Sequence, residues 1–190
     1  MKSKNANKSI LAGILVGIGG FAFLSVSSDL LGSFLFCIGL LTVIIQQYYL
    51  YTGKVGYVRK FTEIPMLLQI LFYNFCGVFI IGILGNLFFK EQALNLVNHK
   101  LILPWHHVFI KSMLCGIMIY LAVELYKKTN NFLAVIIPIM LFILCKFEHS
   151  IANMFYFTVA GMIDLKSIIF ILITVIGNAV GSLLISFLEE

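Results

Sequence analysis

Apolar runs long enough to cross a bilayer occur six times along this chain, and the links between them are too short to fold on their own. A bilayer core asks for ~20 apolar residues per helix. The candidates are Ser9–Val26, Leu31–Tyr51, Ile64–Phe89, Leu103–Tyr126, Phe132–Phe157 and Ser167–Leu188. In hydrocarbon every backbone polar group must be paired within the protein, so runs of this length become helices. Composition agrees: of 190 residues, 61% are hydrophobic and 11% charged, too few polar groups to clothe a soluble core. The expectation is an all-α polytopic membrane protein, a single domain over residues 1–190 with no cleaved leader and no soluble appendage.

Charge predicts orientation. A pI near 9.0 is no sign of nucleic-acid binding here, because the basic residues gather at segment ends. A cytoplasmic N-terminus puts Lys2, Lys4, Lys8, Lys54, Arg59, Lys60, Lys127 and Lys128 inside and Lys90, Lys100 and Lys166 outside, with Lys111 and Lys146 within spans. Cytoplasmic loops carry the lysine and arginine excess. Eight against three therefore predicts six crossings of the inner (plasma) membrane, with both termini cytoplasmic. The gap Lys90–Ile102 reads as a loop shaping the outer mouth. Cys37, Cys76, Cys115 and Cys145 fall in four different segments and read as small buried hydrophobes, with no metal-ligand spacing.

The halves echo one another. Asn74-Phe75-Cys76-Gly77 in the third span matches Asn178-Ala179-Val180-Gly181 in the sixth, and Gly13-Ile14 in the first matches Gly116-Ile117 in the fourth. Three crossings per copy require an inverted repeat, with halves at about residues 8–90 and 101–190. The second and fifth spans are then equivalent. Each is interrupted by residues poor at continuing a buried helix, Tyr51-Thr52-Gly53 in one and Glu148-His149-Ser150 in the other. Broken helices are tolerated in membranes where they line a cavity or lie within protein. A pathway between the two breaks is the natural reading. The stretch Lys146–Met154 strengthens it, since a charge near the bilayer centre costs ~2.5–3.5 kcal/mol or more and persists where it lines a cavity or finds a partner.

Phe147-Glu148-His149-Ser150-Ile151-Ala152-Asn153-Met154-Phe155 closely resembles the fifth-span signature of the formate/nitrite transporter family. Leu50-Tyr51-Thr52-Gly53 resembles that family's second-span break, Leu121-Ala122-Val123 the end of its fourth-span motif, and Gly177-Asn178-Ala179-Val180-Gly181 its sixth-span motif. The resemblance implies an aquaporin-like protomer in a homopentamer, each protomer with its own pore for a small monovalent anion such as formate, nitrite or hydrosulfide, with protons as partners and no cofactor. On that resemblance His149 is the central pore histidine, near Thr52, with Glu148 beside it. Lys100 draws anions from outside, and Asn178 is a polar pore residue. Hydrophobic slits bracket the histidine: Leu40, Leu50 and Phe142 on the cytoplasmic side, Phe36 and Tyr51 on the outer side. The sequence departs from the family at Glu124, where tryptophan is usual, and at Lys146, where glycine is usual, which suggests a compensating buried pair.

Other classes fit poorly. An aquaporin-like channel for neutral solutes needs Asn-Pro-Ala at two half-helix tips, and Pro65, Pro104 and Pro138 lie elsewhere. The consecutive Glu148, His149 and Ser150 point in different directions on a helix and make a poor nucleophile site; no His-Glu-x-x-His motif is present. The chain also lacks the Gly-x-x-x-x-Gly-Lys loop of ATP-driven transport.

Overall fold

Eight α-helices and two short 3-10 turns make up the computed structural model, which describes residues 3–189. Lys2, counted above among the cytoplasmic cations, lies outside the described residues. Four helices are long and apolar enough to cross a membrane: α1 (Ser3–Leu24), α4 (Ile64–Leu101), α5 (Trp105–Thr129) and α8 (Leu165–Leu188). Between them run two split elements. Helix α2 (Asp29–Ile45) is followed, after a gap, by the single turn α3 (Tyr51–Lys54), and α6 (Leu133–Leu144) is followed by α7 (Ser150–Ala160).

Both splits begin in the same way. Gln47 (φ 52°) and Lys146 (φ 54°) take the left-handed conformation just past the ends of α2 and α6. The amides of Tyr48 and Phe147 then reach back to Val43 and Phe142 oxygens, 2.9 Å in each case, closing a Schellman turn over the last carbonyls. That conformation costs a non-glycine residue ~1–2 kcal/mol. The first break therefore lies at residues 46–50, ahead of the expected Tyr51-Thr52-Gly53, which instead starts α3. In the second, Glu148 and His149 lie within the break and Ser150 opens α7.

The expected mouth loop at Lys90–Ile102 is helix. Helix α4 continues through a kink at Phe89 (φ −130°, ψ 23°) to Leu101. It does so because Ala93, Val97 and Leu101, spaced by four, bury one face. Cys37 and Cys115 are buried as expected, whereas Cys145 is exposed where α6 ends.

Helix pairs α1/α4 and α5/α8 meet backbone to backbone. A Cβ added at Gly13 would come within 2.2 Å of the Asn74 carbonyl oxygen, and one at Gly116 within 2.2 Å of the Asn178 carbonyl oxygen. No side chain fits either gap. Such small-residue contacts let membrane helices approach closely. Every residue of α7 is buried, making it the centre of the bundle. Outward faces carry Phe72, Leu87, Phe88, Ile137 and Leu172, an apolar exterior suited to hydrocarbon. One end is rich in cations held on aromatic rings and carboxylates: Lys8 and Lys54 over Tyr49, Lys127 over Tyr57, Arg59 over Phe187, and Lys128 beside Glu189.

Candidate functional site

Two buried asparagines hold the two breaks. Asn74 Oδ1 accepts from the Tyr51 amide at 2.8 Å, while its Nδ2 donates to Ser9 and Tyr49 oxygens at 2.7 and 2.8 Å. Asn178 repeats the pattern: Oδ1 accepts from the Ser150 amide at 2.9 Å, and Nδ2 donates to Ser112 and Glu148 oxygens, both at 2.8 Å. Each amide thus pairs one N–H and one carbonyl that a break leaves open and ties them to a carbonyl of a neighbouring continuous helix, Ser9 of α1 or Ser112 of α5; a buried orphan costs ~1–3 kcal/mol. Asn178 was expected on the pathway. It is fully buried, and both its donor hydrogens are committed to carbonyls while its oxygen accepts from the Ser150 amide, so in this structure it holds the break together.

The breaks bring His149 and Thr52 together. His149 is the N-cap of α7, and its Nδ1 accepts from the Ala152 amide at 3.0 Å. An acceptor nitrogen carries no hydrogen, so the neutral ring holds its proton on Nε2. Nε2 lies 2.9 Å from Thr52 Oγ1 and donates to it. The threonine hydroxyl hydrogen then remains available to a third group. Both side chains are almost fully buried, at 2% and 1% exposure.

Two cavities approach this pair from opposite ends. One, of about 630 Å³, is lined by Phe36, Phe142, His149, Glu148, Lys100 and their neighbours. The other, of about 600 Å³, is lined by Leu40, Leu50, Gly53, Lys54, Ile119 and Lys127 among others. Phe36 and Phe142 meet edge to face, centroids 6.3 Å apart, and Phe142 lies nearly parallel to the His149 ring at 5.8 Å. Phe142 therefore sits with Phe36 on the Lys100 side, where the sequence reading placed it with Leu40 and Leu50. Tyr51, expected opposite them, lines neither cavity; its hydroxyl donates to the Val175 oxygen at 3.1 Å and anchors α3 to α8. The apolar groups facing the pair are thus Phe36 and Phe142 from one cavity, Leu40 and Leu50 from the other.

Lys100 is no solvated point charge. Its Nζ lies 2.6 Å from Glu148 Oε2, the lysine side chain 12% exposed and the glutamate 2%. Asn153 Nδ2 donates to the same oxygen at 3.0 Å. The carboxylate is held by Lys100 and Asn153, two partners that spacing along the chain did not reveal. The suggested Lys146–Glu124 pair is absent. Glu124 accepts from Lys127 at 2.8 Å and from the Tyr57 hydroxyl, while Lys146 lies at the other end, lining the Lys100-side cavity. A helix about 1.5 Å per residue long carries these positions too far apart to meet.

Residues 2–188 match the profile described as Formate/nitrite transporter. The chain belongs to the formate/nitrite transporter family. Two solved structures share the fold of this transporter. A "Pentameric formate channel with formate bound" is 24% identical with a TM-score of 0.85, covering 100% of this chain and 97% of its own. An "FNT family ion channel" is 22% identical with a TM-score of 0.87, covering 98% of this chain and 88% of its own. Comparison with curated proteins finds no match. Members of this family are transporters, not enzymes.

Proposed function

We propose that this transporter carries a small monovalent anion, formate, nitrite or hydrosulfide, along a pathway running between the two cavities past Thr52 and His149. The observation that carries the reading is the 2.9 Å contact between those two side chains, one from each break, with aromatic rings on one side and leucines on the other. Each split element, α2 with α3 and α6 with α7, then counts as one crossing. That gives six in two inverted halves at about residues 8–90 and 101–190, with the cation-rich end holding Lys8, Lys54 and Lys127 in the cytoplasm together with both termini. Five such protomers form the assembly, as in the similar pentameric formate channel, and the membrane is the cell's inner membrane.

Energetics favour passage as the neutral acid. A bare ion entering low dielectric faces a cost of ~20 kcal/mol in the idealised limit. Protonating a carboxylate of pKa ~3.5 at neutral pH costs about 5 kcal/mol, after which only polar groups are buried. His149 is the partner at the narrow point. A second proton on Nδ1 would set two N–H donors facing each other at Ala152, so the ring works as a neutral group. Its Nε2–H fixes Thr52, whose hydroxyl donates to the passing species.

Flux into proteoliposomes of formate, nitrite and hydrosulfide, measured across a pH series, tests this. His149→Ala should lower flux of the transported anion at least about tenfold, the rate equivalent of ~1.4 kcal/mol, because it removes the hydrogen bond that orients Thr52. Equal flux in the variant for every anion would remove the histidine from the pathway.

A further inference from the structure

Eight ionisable side chains line the Lys100-side cavity: Asp29, His99, Lys100, Lys111, Lys146, Glu148, His149 and Tyr156. Lys100 and Glu148 cancel one another at 2.6 Å. Asp29 is exposed, on the first turn of α2. Lys111, half-buried on α5, and Lys146, at the end of α6, form no ion pair among the described residues. Both sit beside Glu148: its amide donates to the Lys111 carbonyl oxygen at 3.3 Å, and Lys146 precedes it by two residues. Tyr156 lines the same cavity, 7% exposed, and its hydroxyl has no hydrogen-bond partner among the described residues.

We propose that Lys111, Lys146 and the Tyr156 hydroxyl form a second anion site in this cavity, separate from the Thr52–His149 pair, and that it binds a divalent oxyanion such as sulfate. Two unpaired ammonium groups match two negative charges, and a phenol supplies a neutral donor. Partial enclosure strengthens the contacts of half-buried Lys111 and buried Tyr156 relative to open water, while Lys146 stands at the exposed rim. Monovalent anions occupy the site weakly and move on. A dianion is held, and the second charge denies it the single-protonation route through the apolar rings. Sulfate is thus a blocker acting from one face of the membrane. The proposal rests on the cavity being an entrance to the pathway, but binding itself is measurable without transport.

The test is calorimetric titration of sulfate into the purified full-length protein in detergent, with ionic strength held constant by gluconate. One sulfate per chain is expected. Lys111→Gln and Lys146→Gln should each weaken it at least about tenfold, the size of one charge-assisted hydrogen bond. Tyr156→Phe, a change that keeps the ring packing, should weaken it about threefold, and Lys146→Arg should retain it. His149→Ala should leave the affinity unchanged. Unsaturable binding, or equal affinity in the Gln and Phe variants, would overturn the site, as would loss in His149→Ala alone. Sulfate binding without anion flux in liposomes would sink the transport reading and leave this one standing; flux without sulfate binding would do the reverse.

Discussion

In the break between α2 and α3 an apolar side chain, Leu50, occupies the N-cap position that His149 fills in the break between α6 and α7. The frames are alike: a left-handed residue, a Schellman turn, and a buried asparagine pairing one amide and two carbonyls. The contents are not. Tyr49, Leu50 and Tyr51 stand where the other break carries Glu148, His149 and Ser150, and α3 lasts four residues where α7 lasts eleven. The scaffold is repeated and the chemistry is placed once. Only Thr52, one residue into α3, answers the histidine from the other side.

The largest effect should come from the shared frame. Asn74→Leu and Asn178→Leu each strand one amide and one carbonyl of a break, at ~1–3 kcal/mol apiece, so each should cost about 2 kcal/mol or more. Thermal melting in detergent reads this. Comparable losses uphold equal scaffolding; a loss in only one would end the parallel. Next come Gly13→Ala and Gly116→Ala, whose added methyls face helix carbonyls at 2.2 Å. Overpacking of that kind costs ~1–3 kcal/mol, and the two melting shifts should agree if α1/α4 and α5/α8 are true counterparts. His149→Leu makes the two N-caps alike. Loss of the cap should cost about 1 kcal/mol, while flux falls far more than stability does. A variant that transported normally would show that the asymmetry between the breaks has no functional weight.

The smallest effect lies outside the membrane. The Asp164 carboxylate accepts from the Ser167 hydroxyl at 2.7 Å and from its amide at 2.8 Å, which holds it below the usual carboxylate range. Its folded value being depressed, the contribution is complete above the unfolded value and is lost as pH falls through the folded one. Asp164→Asn should flatten that acid limb of stability slightly. An unchanged acid limb would show that the cap at α8 contributes nothing there.

How much of this was readable in advance differs between frame and contents. Hydrophobic run length exposed the long helices, since the bilayer imposes it residue by residue. The Asn-x-x-Gly echo pointed to Asn74 and Asn178, yet not to their work of pairing backbone groups on other helices. The exact ends of α2 and α6 were hidden because Gln47 and Lys146 carry no turn signature, and the left-handed position is usually glycine. The helix at Lys90–Leu101 was missed for a different reason: four of its polar residues, Gln92, Asn95, His99 and Lys100, face a cavity, and linear hydropathy reads such a stretch as loop.

By itself, then, the sequence determined an all-helical membrane chain with two interrupted elements and a histidine and a threonine at them, because hydropathy and helix-breaking are local properties. Only the tertiary structure decided that Lys100 neutralises Glu148, that Asn178 pairs backbone groups of a break, that Phe142 joins Phe36, and that Lys111 and Lys146 have no counter-ion among the described residues. Those are pairings between helices distant in sequence. Burial leaves a charge or an amide to find whichever partner the packing brings within about 3 Å, and nothing along the chain encodes that choice.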